Sequence, residues 1–424
     1  MKKPGNRKMI HRNIFYFCLL GISFFLPVFP KIVPYFITLL FLNWIVEAPF
    51  RHNFKLVFKE KQRFLLLSFS FLYILYLIGM TYSNNLEYGR EDLEIKLSLL
   101  VLPLIFSTLD KAVLTKKEGF NVLSFFVTGC FTGTLLLLGH SWYNETWNHM
   151  DNAFYYGNLS WFFHPTYLSM YLSFSVAVLA WYIISGEVSI RPLLKIILIL
   201  LSIYFLILII LLSSKAGILS LALVMVFFSS ILIIKNKNWI TGLIFLVTSL
   251  LTLYLGLQFF PYASGRMSVA RESVSEDSSI KSDKAESTAE RIMIWKSGLE
   301  IIHEHMLFGV GTGDVKDELL LKYKQCNIAP AFEKKLNAHN QYIQTFLSIG
   351  IFGFLLLLSM MLLPSLIAIR QEQHLYVIFL LIFALNIAFE SMLEVQAGVV
   401  YFAFFNTFLF WVWKGNNPEP VLAA

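Results

Sequence analysis

Hydrophobic residues follow one another along this chain in long uninterrupted runs, separated by short polar stretches and by one long polar segment. A helix needs about 17–25 apolar residues to cross the hydrocarbon core of a bilayer. Runs near this length predict twelve membrane-spanning helices, at residues 13–30, 32–48, 64–81, 93–109, 120–140, 164–184, 193–212, 216–235, 238–260, 342–369, 375–394 and 397–414. The run at 93–109 is short and contains Lys96. The pattern predicts an all-α polytopic membrane protein.

The composition supports the same class. Hydrophobic residues make up 57% of the 424 residues and charged residues 14%, whereas a soluble domain has about 25% charged residues. The net charge of +7 does not indicate a nucleic-acid partner, because the basic residues lie mainly in short loops between predicted spans. That placement is typical of a membrane protein in contact with lipids.

The short loops differ in charge between the two sides of the membrane. One set of alternate loops, together with the chain ends, holds 19 Lys and Arg residues, and the opposite set holds 3. Because basic loops stay in the cytoplasm, we expect cytoplasmic termini and a location in the bacterial inner membrane. Residues 261–341 then form a large periplasmic loop, between residues 1–260 with nine spans and residues 342–424 with three spans and a cytoplasmic tail.

The periplasmic loop contains helical patterns. Apolar residues spaced by three and four predict an amphipathic helix that ends at Gly309; they are Ile292, Trp295, Leu299, Ile302 and Met306. A second short helix is predicted at about residues 314–325. The run Gly309-Val-Gly311-Thr-Gly313 resembles a phosphate-binding loop, but it follows a helix instead of a strand, so it predicts a tight turn.

Lys215 is the first candidate for chemistry. It lies with Ser213 and Ser214 in a three-residue turn between two spans on the periplasmic side, where a topological anchor is not needed. A charge beside apolar spans is costly and therefore often functional. Lys215 is either a binding residue for an anion or an interfacial lysine that reaches lipid headgroups.

Four further residues lie on the same side. Arg291 occupies the first turn of the predicted loop helix, where a cation opposes the helix dipole and favours an anionic partner. His339 directly precedes a span, and a neutral imidazole there is suited to act as a general base. His164 opens the sixth span, and Glu390 shares a predicted helix face with Glu394 at the outer end of the eleventh. The alternatives are an ordinary surface arginine for Arg291, a hydrogen-bonded interfacial histidine for His339 and a helix-end role for Glu390.

Several motifs occur together in a fixed order. They are Ala289-Glu-Arg291-Ile-Met-Ile-Trp295, Gly309-Val-Gly311-Thr-Gly313, Asn337-Ala-His339-Asn340-Gln-Tyr342 and Gly350-Ile-Phe-Gly353. In this order they resemble the O-antigen ligase family, which also includes O-antigen polymerases and protein O-oligosaccharyltransferases. The resemblance covers about residues 195–395 and does not distinguish among these members.

The resemblance implies a metal-independent, inverting glycosyltransferase without a cofactor, whose donor is an undecaprenyl-pyrophosphate-linked glycan. It implies that His339 is the general base and that Arg291 binds the donor pyrophosphate. Lys215 lies where the family has an arginine, and a lysine keeps the charge but loses the bidentate fork. We expect Lys215, Arg291, His164 and Glu390 to bind substrate.

The leading functional hypothesis is transfer of a glycan to a sugar hydroxyl of lipid A-core. A polymerase that extends an O-antigen or exopolysaccharide on the same donor would use the same residues. A protein O-oligosaccharyltransferase and a non-enzymatic transporter are further alternatives. A transporter should show polar residues at mid-membrane or inverted repeats with broken helices, and neither feature is clear in the sequence.

Overall fold

The computed structural model describes residues 6–47, 50–109, 113–186, 191–234, 239–259 and 288–412. These residues fold into nineteen α-helices joined by turns and short 3-10 segments, and they contain no β-strand. The helices before the long polar segment are α1 (Asn6–Val28), α2 (Val33–Glu47), α3 (Phe50–Lys59), α4 (Lys61–Ser68), α5 (Phe71–Gly79), α6 (Leu86–Lys96), α7 (Ser98–Thr108), α8 (Lys116–Trp147), α9 (Tyr156–Leu159), α10 (Pro165–Ile184), α11 (Pro192–Leu211), α12 (Lys215–Ile234) and α13 (Trp239–Phe259). Those after it are α14 (Thr288–Glu304), α15 (Val315–Gln325), α16 (Ala329–Glu333), α17 (Gln341–Arg370), α18 (His374–Asn386) and α19 (Gln396–Val412).

Eight helical segments among the described residues are long and apolar enough to cross a membrane. They are Asn6–Val28, Pro30–Glu47, Lys61–Tyr82, Lys116–Trp147, Pro165–Ile184, Pro192–Leu211, Lys215–Ile234 and Gln341–Arg370. The shorter apolar helices α18 and α19 lie at the last two predicted spans. The all-α polytopic class is confirmed, whereas the number of twelve spans stays a prediction. Residues 261–287 of the predicted periplasmic loop and the tail from 415 onward lie outside the described residues.

The predicted span at 93–109 is not a single helix. α6 ends at Lys96 and α7 begins at Ser98, so a break at Leu97 separates a polar helix from an apolar one. Leu93 and Ile95 in the last turn of α6 are apolar, so the predicted span began before the break. Lys96 itself is fully buried and paired with carboxylates.

α10 and α19 form the centre of the bundle. Nearly all residues of both helices are buried, and their aromatic rings pack together, as in Tyr171 and Tyr401 with centroids 4.8 Å apart. The Tyr171 hydroxyl also donates a hydrogen bond to the Ala397 carbonyl at 2.9 Å. These contacts fix the start of α10, next to His164, against the start of α19.

α17 is kinked at Ile349 and Gly350, and the turn after α14 fills the kink. Gly350 has a φ of +68°, and a Cβ atom there would collide with the Leu307 carbonyl. Three backbone hydrogen bonds join turn and kink: Val310 N to Leu347 O at 2.8 Å, Gly311 N to Ser348 O at 3.0 Å, and Ile351 N to Met306 O at 3.0 Å. Unsatisfied backbone groups are costly at membrane depth, so turn and kink stabilise each other. The run Gly309–Gly313 is a tight turn, as predicted.

Helices α14, α15 and α16 enclose a small second core. Its buried members include Ile294, Ile301, Val315, Leu319, Tyr323 and Ala331. The predicted apolar stripe of α14 is partly wrong, since Leu299 and Met306 are 56% and 51% exposed while Ile294 is fully buried. The buried face instead includes Gly298, where a side chain would collide with Ile343 of α17. Close approach to α17 requires a small residue at this position. A search for regularly spaced apolar residues does not identify a buried glycine.

Candidate functional site

The segment that carries His339 is held on several sides. His339 has a φ of +45°, a left-handed conformation that its backbone N–H stabilises by donating to Asn337 Oδ1 at 3.0 Å. Asn340 Oδ1 accepts hydrogen bonds from two backbone N–H groups in the first turn of α17, as a helix cap does. From the other side, Trp295 Nε1 of α14 donates to the Ala338 carbonyl at 3.0 Å. The imidazole therefore sits on a firmly positioned backbone.

Glu390 and Glu394 do not share a helix face, contrary to the prediction. α18 ends at Asn386, and residues 387–395 form turns and a short 3-10 segment, Met392–Glu394. Asn386 donates to Ser220 Oγ at 2.7 Å and to the Ile382 carbonyl. The apolar run continues beyond this point, so hydrophobicity alone did not show where the helix ends.

Three predicted site residues converge on the carboxylate of the fourth, Glu390. His339 Nδ1 lies 2.9 Å from Glu390 Oε1, and Arg291 Nη2 lies 3.5 Å from Glu390 Oε2. His164 Nδ1 lies 3.9 Å from the same Oε2. Arg291 Nη1 also donates to the Phe389 carbonyl at 2.6 Å. The structure thus joins the ends of α10, α14 and α17 at the connection between α18 and α19.

The surroundings keep Glu390 ionised. Burial would raise the pKa of its carboxyl, but the hydrogen bond with His339 and the positive groups of His339, His164 and Arg291 outweigh it and lower the pKa below the ordinary glutamate value. When the ring of His339 is neutral, its Nδ1–H group donates the hydrogen bond to Glu390, and Nε2 is the nitrogen that can take up a proton. This is the arrangement of a base oriented by a third group.

Lys215 begins α12 beside the start of α10. The preceding Ser214 Oγ donates to Thr166 Oγ1 at 3.3 Å, and Thr166 lies two residues after His164. A side chain at Gly217 would collide with Ser169 of α10, so the small residue permits the two helix ends to approach closely. Lys215 is half-buried on the same side of the bundle as His164.

Residues 196–358 match a family described as O-antigen ligase. This region belongs to the O-antigen ligase family. The predicted family is therefore confirmed, and the match supports a glycosyltransferase-like enzyme of the ligase or polymerase type. No curated protein matches the chain. The matched region contains Lys215, Arg291 and His339, whereas His164 and Glu390 lie outside it.

Two cavities flank the segment that leads into His339. One, of about 550 Å³, lies next to His164 and is lined by aromatic residues and Lys334. The other, of about 230 Å³, is lined by Lys335, Asn337 and several charged residues of α6 and α15. Consecutive lysines thus face different cavities on the two sides of one short segment.

A second buried charge cluster was missed in the sequence. Lys96 contacts Asp92 on its own helix and lies 3.0 Å from Glu394 Oε1. Gln341 Nε2 donates to the same Glu394 oxygen at 3.3 Å, and Gln341 Oε1 accepts from the Leu393 N–H at 2.7 Å. The signal was present: Asp92 and Lys96 are four apart on a helix, the spacing of an ion pair, beside an apolar run where charges are costly.

Across the described ranges, no group of three or more His, Cys, Asp or Glu side chains is arranged to hold a metal ion. The absence of a metal from the reaction stays a prediction.

Proposed function

We propose that the protein moves a glycan from undecaprenyl pyrophosphate to a hydroxyl group of a lipid A-core sugar on the periplasmic face of the inner membrane. The observation that carries this proposal is the convergence of His339, Arg291 and His164 on Glu390. Among the described residues, the Glu390 carboxylate faces three basic side chains, and Lys215 begins α12 beside the start of α10. Basic side chains gathered in this way favour an anionic ligand such as a pyrophosphate.

In the proposed reaction, the acceptor hydroxyl attacks the anomeric carbon of the donor sugar. A carbon–oxygen bond forms as the bond from that carbon to the pyrophosphate oxygen breaks, so the configuration inverts and undecaprenyl pyrophosphate leaves. His339 takes the hydroxyl proton at Nε2, since its Nδ1 is engaged by Glu390. Glu390 orients the imidazole and stabilises the imidazolium that forms.

Arg291 and Lys215 have a different role in this proposal. They lower the barrier by neutralising the negative charge that develops on the departing pyrophosphate. Because they supply charge in place of a metal ion, we propose that transfer persists in EDTA. The basic-residue asymmetry supports cytoplasmic termini and a periplasmic location for α14, α15 and α16.

The test measures donor affinity and turnover separately for the purified full-length protein. His339→Ala should abolish transfer and leave donor binding nearly intact, because a neutral imidazole contributes little to holding pyrophosphate. Arg291→Ala and Lys215→Ala should weaken donor binding and rate, since each loses a charge-assisted hydrogen bond worth roughly 1.5–3 kcal/mol. Lys215→Arg should retain or raise activity, because it restores a bidentate fork.

His305→Ala is the matched control, since His305 is an exposed histidine at the end of α14, and it should behave as the wild type. Full turnover in His339→Ala would show that the general-base assignment is wrong. Normal donor binding in Lys215→Ala would make Lys215 an interfacial anchor.

A polymerase would use the same residues, so the acceptor must be identified separately. The lipopolysaccharide of a deletion strain distinguishes the two activities. Loss of all polymer from lipid A-core indicates a ligase, whereas a band with a single repeat unit indicates a polymerase.

A further inference from the structure

The aromatic cavity beside His164 has no role in the reaction proposed above. Its volume of about 550 Å³ lies within the range of about 300–1,000 Å³ typical of ligand sites. Its lining residues are Tyr156, Gly157, Trp161, Phe162, Phe163, His164, Pro165 and Lys334. The cavity therefore combines aromatic surface with two basic side chains.

Trp161 is both exposed and held in place. It is 58% exposed, yet its ring stacks on His140 of α8, with centroids 4.7 Å apart and planes 24° apart. His140 in turn contacts Asn144 Nδ2 at 3.2 Å. The buried Ser160 hydroxyl donates to the Phe163 carbonyl and closes the turn that carries Trp161. A ring already held by its neighbours loses little conformational entropy when it binds a ligand.

We infer that this cavity binds a sugar ring of the glycan substrate, stacked on Trp161. A pyranose presents a face of C–H groups that packs against an aromatic ring, and hydroxyl groups around its edge. Trp161 and Phe162 supply aromatic surface, with ring centroids 5.0 Å apart. Lys334 and His164 supply polar groups at the edge.

The cavity and the candidate site share one residue. His164 lines the cavity, and its Nδ1 lies 3.9 Å from Glu390 Oε2, which is shared with Arg291. A sugar on Trp161 would thus lie beside the groups that we propose to carry out transfer. The identity of the ligand as a substrate glycan rests on the proposed function. Either the donor or the acceptor can contribute the ring, and the test separates them.

The competing explanation is that Trp161 belongs to the belt of aromatic residues at the membrane interface. Trp142 and Trp147 of α8 are 58% and 64% exposed and do not line this cavity. Trp147 is therefore a matched control, similarly exposed but outside the cavity.

The experiment uses the full-length protein in lipid nanodiscs, with the lipid-linked glycan and lipid A-core as substrates. Trp161→Ala should raise the KM for one substrate about threefold to tenfold, from the loss of one aromatic contact, with little change in kcat. Trp161→Tyr should restore most of the affinity, and Trp147→Ala should match the wild type. A raised KM for the donor alone assigns the ring to the donor, and one for lipid A-core alone assigns it to the acceptor.

A second readout separates this inference from the proposed chemistry. Ligand-detected NMR with the lipid-free glycan and the lipid-free core oligosaccharide reports binding without transfer. Binding that is lost in Trp161→Ala but kept in His339→Ala supports the cavity, even where no transfer occurs. Unchanged KM values and unchanged binding in Trp161→Ala, or an equal loss in Trp147→Ala, would overturn the inference.

Discussion

Two carboxylates four residues apart serve charge clusters of opposite character. Glu390 belongs to one, the Glu390 cluster, which consists of His164, Arg291, His339 and Glu390. Glu394 belongs to the other, the Lys96 cluster, which consists of Asp92, Lys96 and Glu394. Both glutamates lie in the connection between α18 and α19, and their side chains are 7% and 8% exposed. Similar burial therefore does not make them equivalent.

The two clusters differ in charge balance and in access. In the Glu390 cluster, one carboxylate faces three basic side chains, and those of His164 and Arg291 are 34% and 20% exposed. In the Lys96 cluster, one ammonium faces two carboxylates and is 0% exposed. A partly open cluster with an excess of basic groups is suited to bind an anion. A cluster whose ammonium group is fully buried and whose polar groups contact one another is suited to hold elements together.

Gln341 connects the two clusters. Its side chain bonds Glu394, its backbone N–H donates to the Ile387 carbonyl at 2.8 Å, and it follows His339 by two residues. The Lys96 cluster thus fixes the connection between α18 and α19 against the start of α17. We expect it to position Glu390 toward His339 without contacting substrate.

The strongest test exchanges each glutamate for its neutral isostere. Glu390→Gln should lower turnover on the order of 10²-fold to 10⁴-fold, the usual contribution of general base catalysis, because His339 loses the carboxylate that orients it. Glu394→Gln should retain most turnover and lose roughly 1.5–3 kcal/mol of stability, the worth of a hydrogen bond to a charged group. Turnover and thermal unfolding are measured on both purified variants.

Each variant is the control for the other, because both make the same change, glutamate to glutamine, in the connection between α18 and α19. Equal losses of turnover in both variants would mean that the two clusters act as one unit. The Lys96 cluster would then not have a separate structural role.

The sequence predicted those parts of the molecule that depend on local signals. Long apolar runs predicted the all-α class, and the order of motifs predicted the family. His339, Arg291 and His164 were each singled out by position next to an apolar span or helix start. The structure brings them together through Glu390, although residues 164 and 390 are far apart in sequence.

The parts that the sequence did not predict depend on tertiary contacts. The end of α18 at Asn386 is set partly by a hydrogen bond to Ser220 of α12, which no local pattern encodes. In the sequence, Lys96 was only a charged residue within a predicted span. Its second partner, Glu394, lies 298 residues away and could not be inferred from the local pattern. The buried face of α14 depends on Gly298, which packs on α17. The spacing of apolar residues does not reveal a buried glycine.

The Lys96 cluster can be tested through the residue at its centre. Lys96→Met should destabilise the protein by about 3–5 kcal/mol, because it leaves two buried carboxylates without their cation. Adding Asp92→Asn and Glu394→Gln to Lys96→Met should recover part of that loss, since no buried charge remains. Thermal unfolding in one detergent compares the single and triple variants. A stable Lys96→Met protein would show that the cluster does not hold these elements together.

The smallest expected effect is the pH dependence of the Glu390 contribution to stability. Because the folded-state pKa of Glu390 is below its ordinary value, its contribution is fully present above the ordinary glutamate pKa of about 4.3 and is lost as the pH falls through the lower folded value. The difference in unfolding temperature between wild type and Glu390→Gln should shrink as the pH falls below about 4.3. Arg291→Ala removes one of the positive groups that lower this pKa, so the acid loss should move to higher pH in that variant. A difference that already shrinks between about pH 7 and pH 5 would mean that the carboxyl titrates above its ordinary pKa. Glu390 would then lack the favourable basic surroundings that distinguish its cluster from that of Lys96.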